Sequence, residues 1–178
     1  MKLLSSKTRY KNSIFSVNEE QALEPGGLRI KRAIVRHGPS AVMMPVDEKG
    51  RVLLVRQFRL AAGASLWELP AGRVDEGETV LAAAKRELIE ETGYRARTWQ
   101  KLVTYYASPG YVAETMTIYL ATGLTAGQAT PMEDERIECR WFTKRELDRM
   151  IQARRIIDGK TLIGYLLWRQ PRALKPQM

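Results

Sequence analysis

Two rhythms of apolar residues run along this chain. In the first forty residues the apolar positions are scattered: Tyr10, Ile14, Phe15 and Val17 are interrupted by polar residues, and Leu28, Ile30, Ala33, Ile34 and Val35 follow a Pro25-Gly26-Gly27 turn. This alternation predicts short strands in a small antiparallel sheet. From Ala41 the runs become continuous: AVMMPV, a turn at Lys49-Gly50, then RVLLVRQFR, where Val52, Leu53, Leu54 and Val55 have the pattern of a buried strand. The main core begins there. Residues 63–77 are punctuated by Gly and Pro and lead into a helical pattern over 79–91, closed by Gly93 where helices favour a left-handed residue. Further strands are expected at WQKLVTYYA, ETMTIYLATGL and IECRWF, then helices over 143–153 and 159–169. Strands interleaved with helices predict an α/β or α+β domain. There is no internal repeat, and the final PRALKPQM reads as a frayed tail.

Composition narrows the chemistry. A chain of 178 residues, 44% hydrophobic, can bury one substantial core with a small accessory unit. Lys2, Lys7 and Arg9 interrupt any signal-like apolar stretch at the N-terminus, and no apolar run approaches membrane-spanning length, so a cytoplasmic protein without a membrane partner is expected. The single Cys139 forms no internal disulfide, and with the single His37 it cannot build an ordinary structural zinc site. Cys139 is expected to be a buried packing residue beside Trp141 rather than a nucleophile. Acid-base work therefore falls to carboxylates. The net charge of +9 is unevenly spread: residues 1–63 carry 12 Lys/Arg against 5 Asp/Glu, residues 64–138 carry 7 against 12, and residues 139–178 carry 10 against 3. An acidic middle between basic flanks suits carboxylates that collect cations while Arg and Lys attract an anionic substrate, although a basic surface alone can serve solubility.

The helix over 79–91 carries the sharpest signal. On a helical wheel Val80, Leu81, Ala84 and Leu88 share one arc, which is the face expected to be buried. Glu87 and Glu91 lie at its edge and Glu90 points further round. These three glutamates crowd the C-terminal turn, where the helix dipole disfavours anions and like charges at i, i+3 and i+4 repel by about 0.2–0.5 kcal/mol per pair. Lys85 and Arg86 can offset part of this as solvated ion pairs. Carboxylates one turn apart beside a groove are suitable ligands for Mg²⁺ or Mn²⁺, and the cation would remove the repulsion.

The string GRVDEGETVLAAAKRELIEETGY, from Gly72 through Glu78 to Arg86-Glu87-Leu88-Ile89-Glu90-Glu91-Thr92-Gly93-Tyr94, resembles the Nudix box with no position missing. The resemblance implies an α/β/α sandwich on a mixed sheet and hydrolysis of nucleoside diphosphates linked to another group. It implies Glu87 and Glu91 as metal ligands for Mg²⁺ or Mn²⁺, the carbonyl of Ala71 as a further ligand, Glu90 as a catalytic auxiliary, and Arg86 with Glu78 as a structural ion pair. Pro109, sixteen residues after Gly93 within SPGYVAE, resembles the proline of the ADP-ribose pyrophosphatase subfamily; a Pro-Gly turn between strands accounts for it equally well. Arg59 in QFR, and Trp67 and Glu68 in LWELPAGR, also look like that subfamily, which makes them substrate-binding candidates. Its small N-terminal sheet exchanges between subunits, so residues 1–40 are expected to form a dimerising unit and residues 41–178 the hydrolase domain.

The acidic loop MEDERIE sits where this subfamily keeps its catalytic loop, with Glu133 the first choice for the general base and Glu135 the second. Arg59 would bind phosphate and Tyr10 or Phe15 would stack on a base. ADP-ribose, giving AMP and ribose 5-phosphate, is the leading substrate, with GDP-mannose or another nucleoside diphosphate sugar as the alternative. Two other classes are weighed: a ligand-binding regulator without turnover, for which the full set of glutamates would be superfluous, and a basic nucleic-acid binder, which needs no metal; no nucleic-acid partner is expected.

Overall fold

A computed structural model describes residues 1–129 and 136–170, arranged as two compact units. The first comprises Met1–Ser40 with Thr104–Met116. Its strands β1 (Lys2–Lys11), β2 (Phe15–Leu23) and β3 (Arg29–His37) form an antiparallel meander in that order. These strands have 10, 9 and 9 residues, longer than the broken apolar pattern suggested. Polar residues do not end a strand when its stabilisation comes from cross-strand pairs rather than a core. Arg9 and Lys31 both reach Glu19, at 3.1 and 3.0 Å, and Arg36 donates to both oxygens of Glu20. At the first turn the Asn12 carboxamide oxygen accepts from the amides of Ile14 and Phe15, both at 2.8 Å; at the second, Gly27 takes φ 85°. Val35 exchanges backbone hydrogen bonds with Tyr111 and Ala113, which holds residues 104–116 in this unit.

The second unit comprises Ala41–Val103 and the described residues from Thr117 on. It contains β4 (Ser40–Pro45), β5 (Val52–Arg59), β6 (Ala64–Glu68), β7 (Ala71–Arg73), α1 (Val80–Thr92), β8 (Tyr94–Tyr106), β9 (Thr115–Ala126), β10 (Glu138–Phe142), α2 (Lys144–Gln152) and α3 (Gly159–Arg169), with the ends of β4, β8 and β9 extending into residues of the first. One sheet runs β7-β4-β9-β8 and another β10-β5-β6. The continuous apolar runs behave as expected: every residue of β4 and the first four of β5 are buried. β6 and β7 lie in the stretch punctuated by Gly and Pro, where the apolar pattern predicts no strand; pairing such as Val55 with Glu68 and Arg59 with Ala64 organises β6 there, and β7 pairs with β4. β8 starts five residues before Trp99, since Gly93 turns the chain straight out of α1 into the sheet.

Helix α1 starts at Thr79, whose hydroxyl accepts from the Ala82 amide, and continues through strong helix formers. It packs Ala83, Ala84 and Leu88 on Ala41 and Met43 of β4 and Ala121 of β9. Its buried arc includes Ala83, while Leu81 is only half-buried, so the face is rotated towards positions 83, 84, 88 and 91. Gly164 of α3 meets Leu69 and Ile118; because Ile118 and Ala121 of β9 point to opposite faces, α3 and α1 cover opposite sides of that strand. Among the described residues no helix is long and apolar enough to cross a membrane.

Candidate active site

The site begins where α1 lies over β7. A side chain on Gly72 would place its Cβ 1.9 Å from the carboxyl carbon of Glu87, so the glutamate occupies space that only a glycine leaves free. One turn on, Glu91 is almost fully buried and accepts from the Ala71 amide at 3.3 Å. Two carboxylates at i and i+4 therefore converge on the Ala71-Gly72 backbone, as the wheel suggested, while Glu90 is the most exposed of the three.

Arg86 makes the ion pair with Glu78 that the resemblance implies, and it is more than the solvated charge that the helix pattern alone suggests. It is 29% exposed and acts as a hub: Nη1 donates to Glu87 at 2.7 Å and Glu90 at 2.9 Å, Nε and Nη2 grip Glu78 at 3.2 and 3.0 Å, and Nη2 also reaches the Arg73 carbonyl. The Glu78 bonds above all raise the Arg86 pKa, against desolvation, with Glu87 and Glu90 adding to the effect; Glu78 in turn is held below the ordinary carboxylate value by Arg86. The repulsion among the glutamates is thus partly offset by one guanidinium that also ties the helix to the preceding loop. Among the described residues no three His, Cys, Asp or Glu side chains gather into a ready metal-holding group. The two inward carboxylates, the glycine-shaped cradle under Glu87 and the adjacent Ala71 backbone are nevertheless hard oxygen chemistry that fits a divalent cation completed by water and phosphate.

A second charged group stands in the same unit. Arg59 at the end of β5 donates through Nε and Nη2 to the two oxygens of Glu68 at 2.9 and 3.0 Å. Glu68 is buried, as is Lys160 of α3, which also donates to Glu68 and to Asp158. Burial works to raise the Glu68 pKa, yet Arg59 and Lys160 outweigh it and hold the carboxylate below its ordinary value. Burial works to lower the Arg59 pKa, yet Glu68 above all, with Glu91 and Asp158 adding to it, raises it. Sequence reasoning missed Asp158, Lys160 and Thr161, about ninety residues from Glu68; the available signal was Asp158 as an N-cap, its carboxylate accepting from the Thr161 amide.

The remaining candidates lie in one unit or the other, or outside the described residues. Trp67 lies edge-on to Phe142, with ring centroids 4.9 Å apart. Pro109 belongs to the first unit, where it lines a cavity of about 290 Å³ with Glu20, Arg36, Tyr106 and Tyr111. Tyr10 and Phe15 pack together in that unit at 5.8 Å. Glu133 and Glu135 lie outside the described residues. Cys139, expected to be buried, is exposed on β10, an outer strand of its sheet; its thiol reaches the Glu91 carbonyl at 3.5 Å. Desolvation, with the charges of Glu91 and Glu138, pushes that thiol pKa up, which argues against a nucleophile.

Comparison with known proteins identifies the family. A NUDIX domain model matches residues 36–161. An ADP-ribose pyrophosphatase of Mycobacterium tuberculosis is 35% identical over 166 residues, 92% of this chain and 80% of that protein. An ADP-ribose pyrophosphatase of Bacillus subtilis is 33% identical over 184 residues, 99% of this chain and all of that protein. A solved structure described as an ADP compounds hydrolase superposes with a TM-score of 0.83 over 95% of this chain and 93% of that one; at 21% identity this likeness speaks for the fold. With the domain match spanning most of the chain and these relatives covering it almost end to end, the chain belongs to the Nudix family.

Proposed function

We propose that this chain hydrolyses the pyrophosphate bond of a nucleoside diphosphate sugar, with ADP-ribose the first substrate to test and AMP and ribose 5-phosphate the products. The observation that carries the reading is the convergence of Glu87 and Glu91 on the Ala71-Gly72 backbone. Glu87, Glu91 and the Ala71 carbonyl would hold Mg²⁺ or Mn²⁺. When bound, such a cation neutralises phosphate charge and makes a nearby water more acidic. The protein's own contributions are positional. Arg86 fixes Glu87 and Glu90, and Arg59, gripped by Glu68, offers its free edge to a phosphate. Glu133, or failing it Glu135, takes the proton from the attacking water, because the box carboxylates serve as ligands. Trp67 and Pro109 belong to the substrate contacts, with Tyr10 or Phe15 stacking on the base.

The enzyme acts as a homodimer in this reading, with residues 1–40 as the pairing unit and 41–178 as the catalytic domain. All ten residues of β1 are exposed, and they include Leu3, Leu4 and Tyr10 at the edge of the meander, an arrangement that invites a second chain.

The test is product release from a panel of nucleoside diphosphate sugars that includes ADP-ribose and GDP-mannose, with Mg²⁺, Mn²⁺ or excess chelator. Turnover of ADP-ribose that stops on chelation supports the reading. Preference for GDP-mannose moves the substrate, and full activity in chelator removes the mechanism. For the base, Glu133→Gln should lower kcat at saturating metal with little change in substrate binding; near wild-type turnover there, with a large loss in Glu135→Gln, transfers the role to Glu135.

A further inference from the structure

The Nudix box does not account for two buried charges of the second unit, Glu68 and Lys160. Glu68 and Lys160 have side chains only 2% and 7% exposed, and each ion needs compensation there. Glu68 Oε1 accepts from Arg59 Nε, while Oε2 accepts from both Arg59 Nη2 and Lys160 Nζ. Lys160 is shared with Asp158 at 3.0 Å, and Asp158 caps α3 through the Thr161 amide and hydroxyl. The Thr161 hydroxyl accepts from the Leu69 amide at 2.7 Å, and Gly164 one turn on leaves room for the Leu69 side chain. The start of α3 therefore grips Glu68 and Leu69, two residues before Ala71.

The consequence lies at Arg59. Its side chain is 41% exposed, and its Nη1 makes no hydrogen bond among the described residues. A guanidinium held by one edge to a buried carboxylate would normally lose much of its field to that partner. Here the carboxylate is already shared with a buried ammonium. We infer that Lys160 is a positioning residue that draws off part of the Glu68 charge, so that Arg59 is fixed by its Nε/Nη2 edge while its Nη1 edge keeps the charge to bind a phosphate of the substrate. This rests on the reading of the site as a pyrophosphatase. It also gives Asp158 an opposing part: by sharing Lys160 it limits how much of the Glu68 charge the ammonium can offset.

The two residues therefore make opposite predictions for affinity, which a merely structural network would not. In the full-length protein Lys160→Met should raise KM for ADP-ribose by about tenfold or more while changing kcat by less than about threefold, as expected when a charge-assisted contact common to bound substrate and transition state weakens. Asp158→Asn, which keeps the helix cap, should leave KM unchanged or lower it. A rise of KM in both, or a folded Lys160→Met with wild-type KM, overturns the inference. If Lys160→Met does not fold, the double variant Glu68→Gln/Lys160→Met removes both buried charges together; it should fold and raise KM because Arg59 is no longer held, and a KM within twofold of wild type overturns the inference. Binding of inorganic pyrophosphate, measured by calorimetry without turnover, separates the two levels of the argument. If the wild type hydrolyses none of the nucleoside diphosphate sugars yet binds pyrophosphate about tenfold more tightly than Lys160→Met, the substrate reading fails and the positioning role stands. Equal pyrophosphate affinity in the two proteins counts against the positioning role itself.

Discussion

At the scale of single residues, Glu87 and Glu91 differ from ordinary helix glutamates in what lies beneath them. Glu87 fills the space over Gly72 and Glu91 is buried against the Ala71 amide, so neither is a surface charge that substitution would leave unnoticed. Glutamine keeps the volume of each side chain and removes the anionic ligand. Glu87→Gln and Glu91→Gln should each lower kcat by about a hundredfold or more with the circular dichroism spectrum retained. Unfolding of both would instead make them structural. Gly72→Ala tests the same contact from below: its methyl would overlap the Glu87 carboxylate, displacing it from the strand. We expect a loss of kcat comparable to Glu87→Gln with less than about 1 kcal/mol change in unfolding free energy, because the moving group is the end of a flexible side chain.

At the scale of elements, α1 and α3 perform different work on the same stretch of chain. The motif helix was legible because its apolar arc, its Thr79 cap and its Gly93 stop agree with one another. The action of α3 was not legible, because periodicity identifies a helix without saying which residues its first turn will touch. Its tie to β6 predicts a pH dependence. The Glu68 pKa is lower in the folded protein than its ordinary value near 4.5, so its contribution to stability is complete above that value and is lost as pH falls through the folded pKa. Thermal melts between pH 7 and pH 3 should show a fall in Tm beginning below about 4.5, and Glu68→Gln should flatten it. An unchanged slope in the variant would assign acid sensitivity to other carboxylates, such as Glu78 under Arg86.

At the scale of the whole molecule, β1 is a ten-residue edge strand with every residue exposed. A homodimer is expected at micromolar concentration by light scattering, and replacing Leu3 and Leu4 with Lys should shift it towards monomer and lower activity together. A fully active monomer would reject the role given to residues 1–40. By itself the sequence determined the family, the α1 helix with its glutamates and the buried strands β4 and β5, because each depends on residue types at fixed local spacing. It also located the acidic centre between basic flanks. Only the tertiary structure decided that β6 and β7 are strands, that Arg86 holds Glu87 and Glu90 as well as Glu78, that Cys139 is exposed, and that Lys160 joins Asp158 to the Glu68 that Arg59 grips. Those outcomes depend on pairings between residues far apart in the chain, where burial and the compensation of charge set the arrangement and local propensity carries no record of the partner.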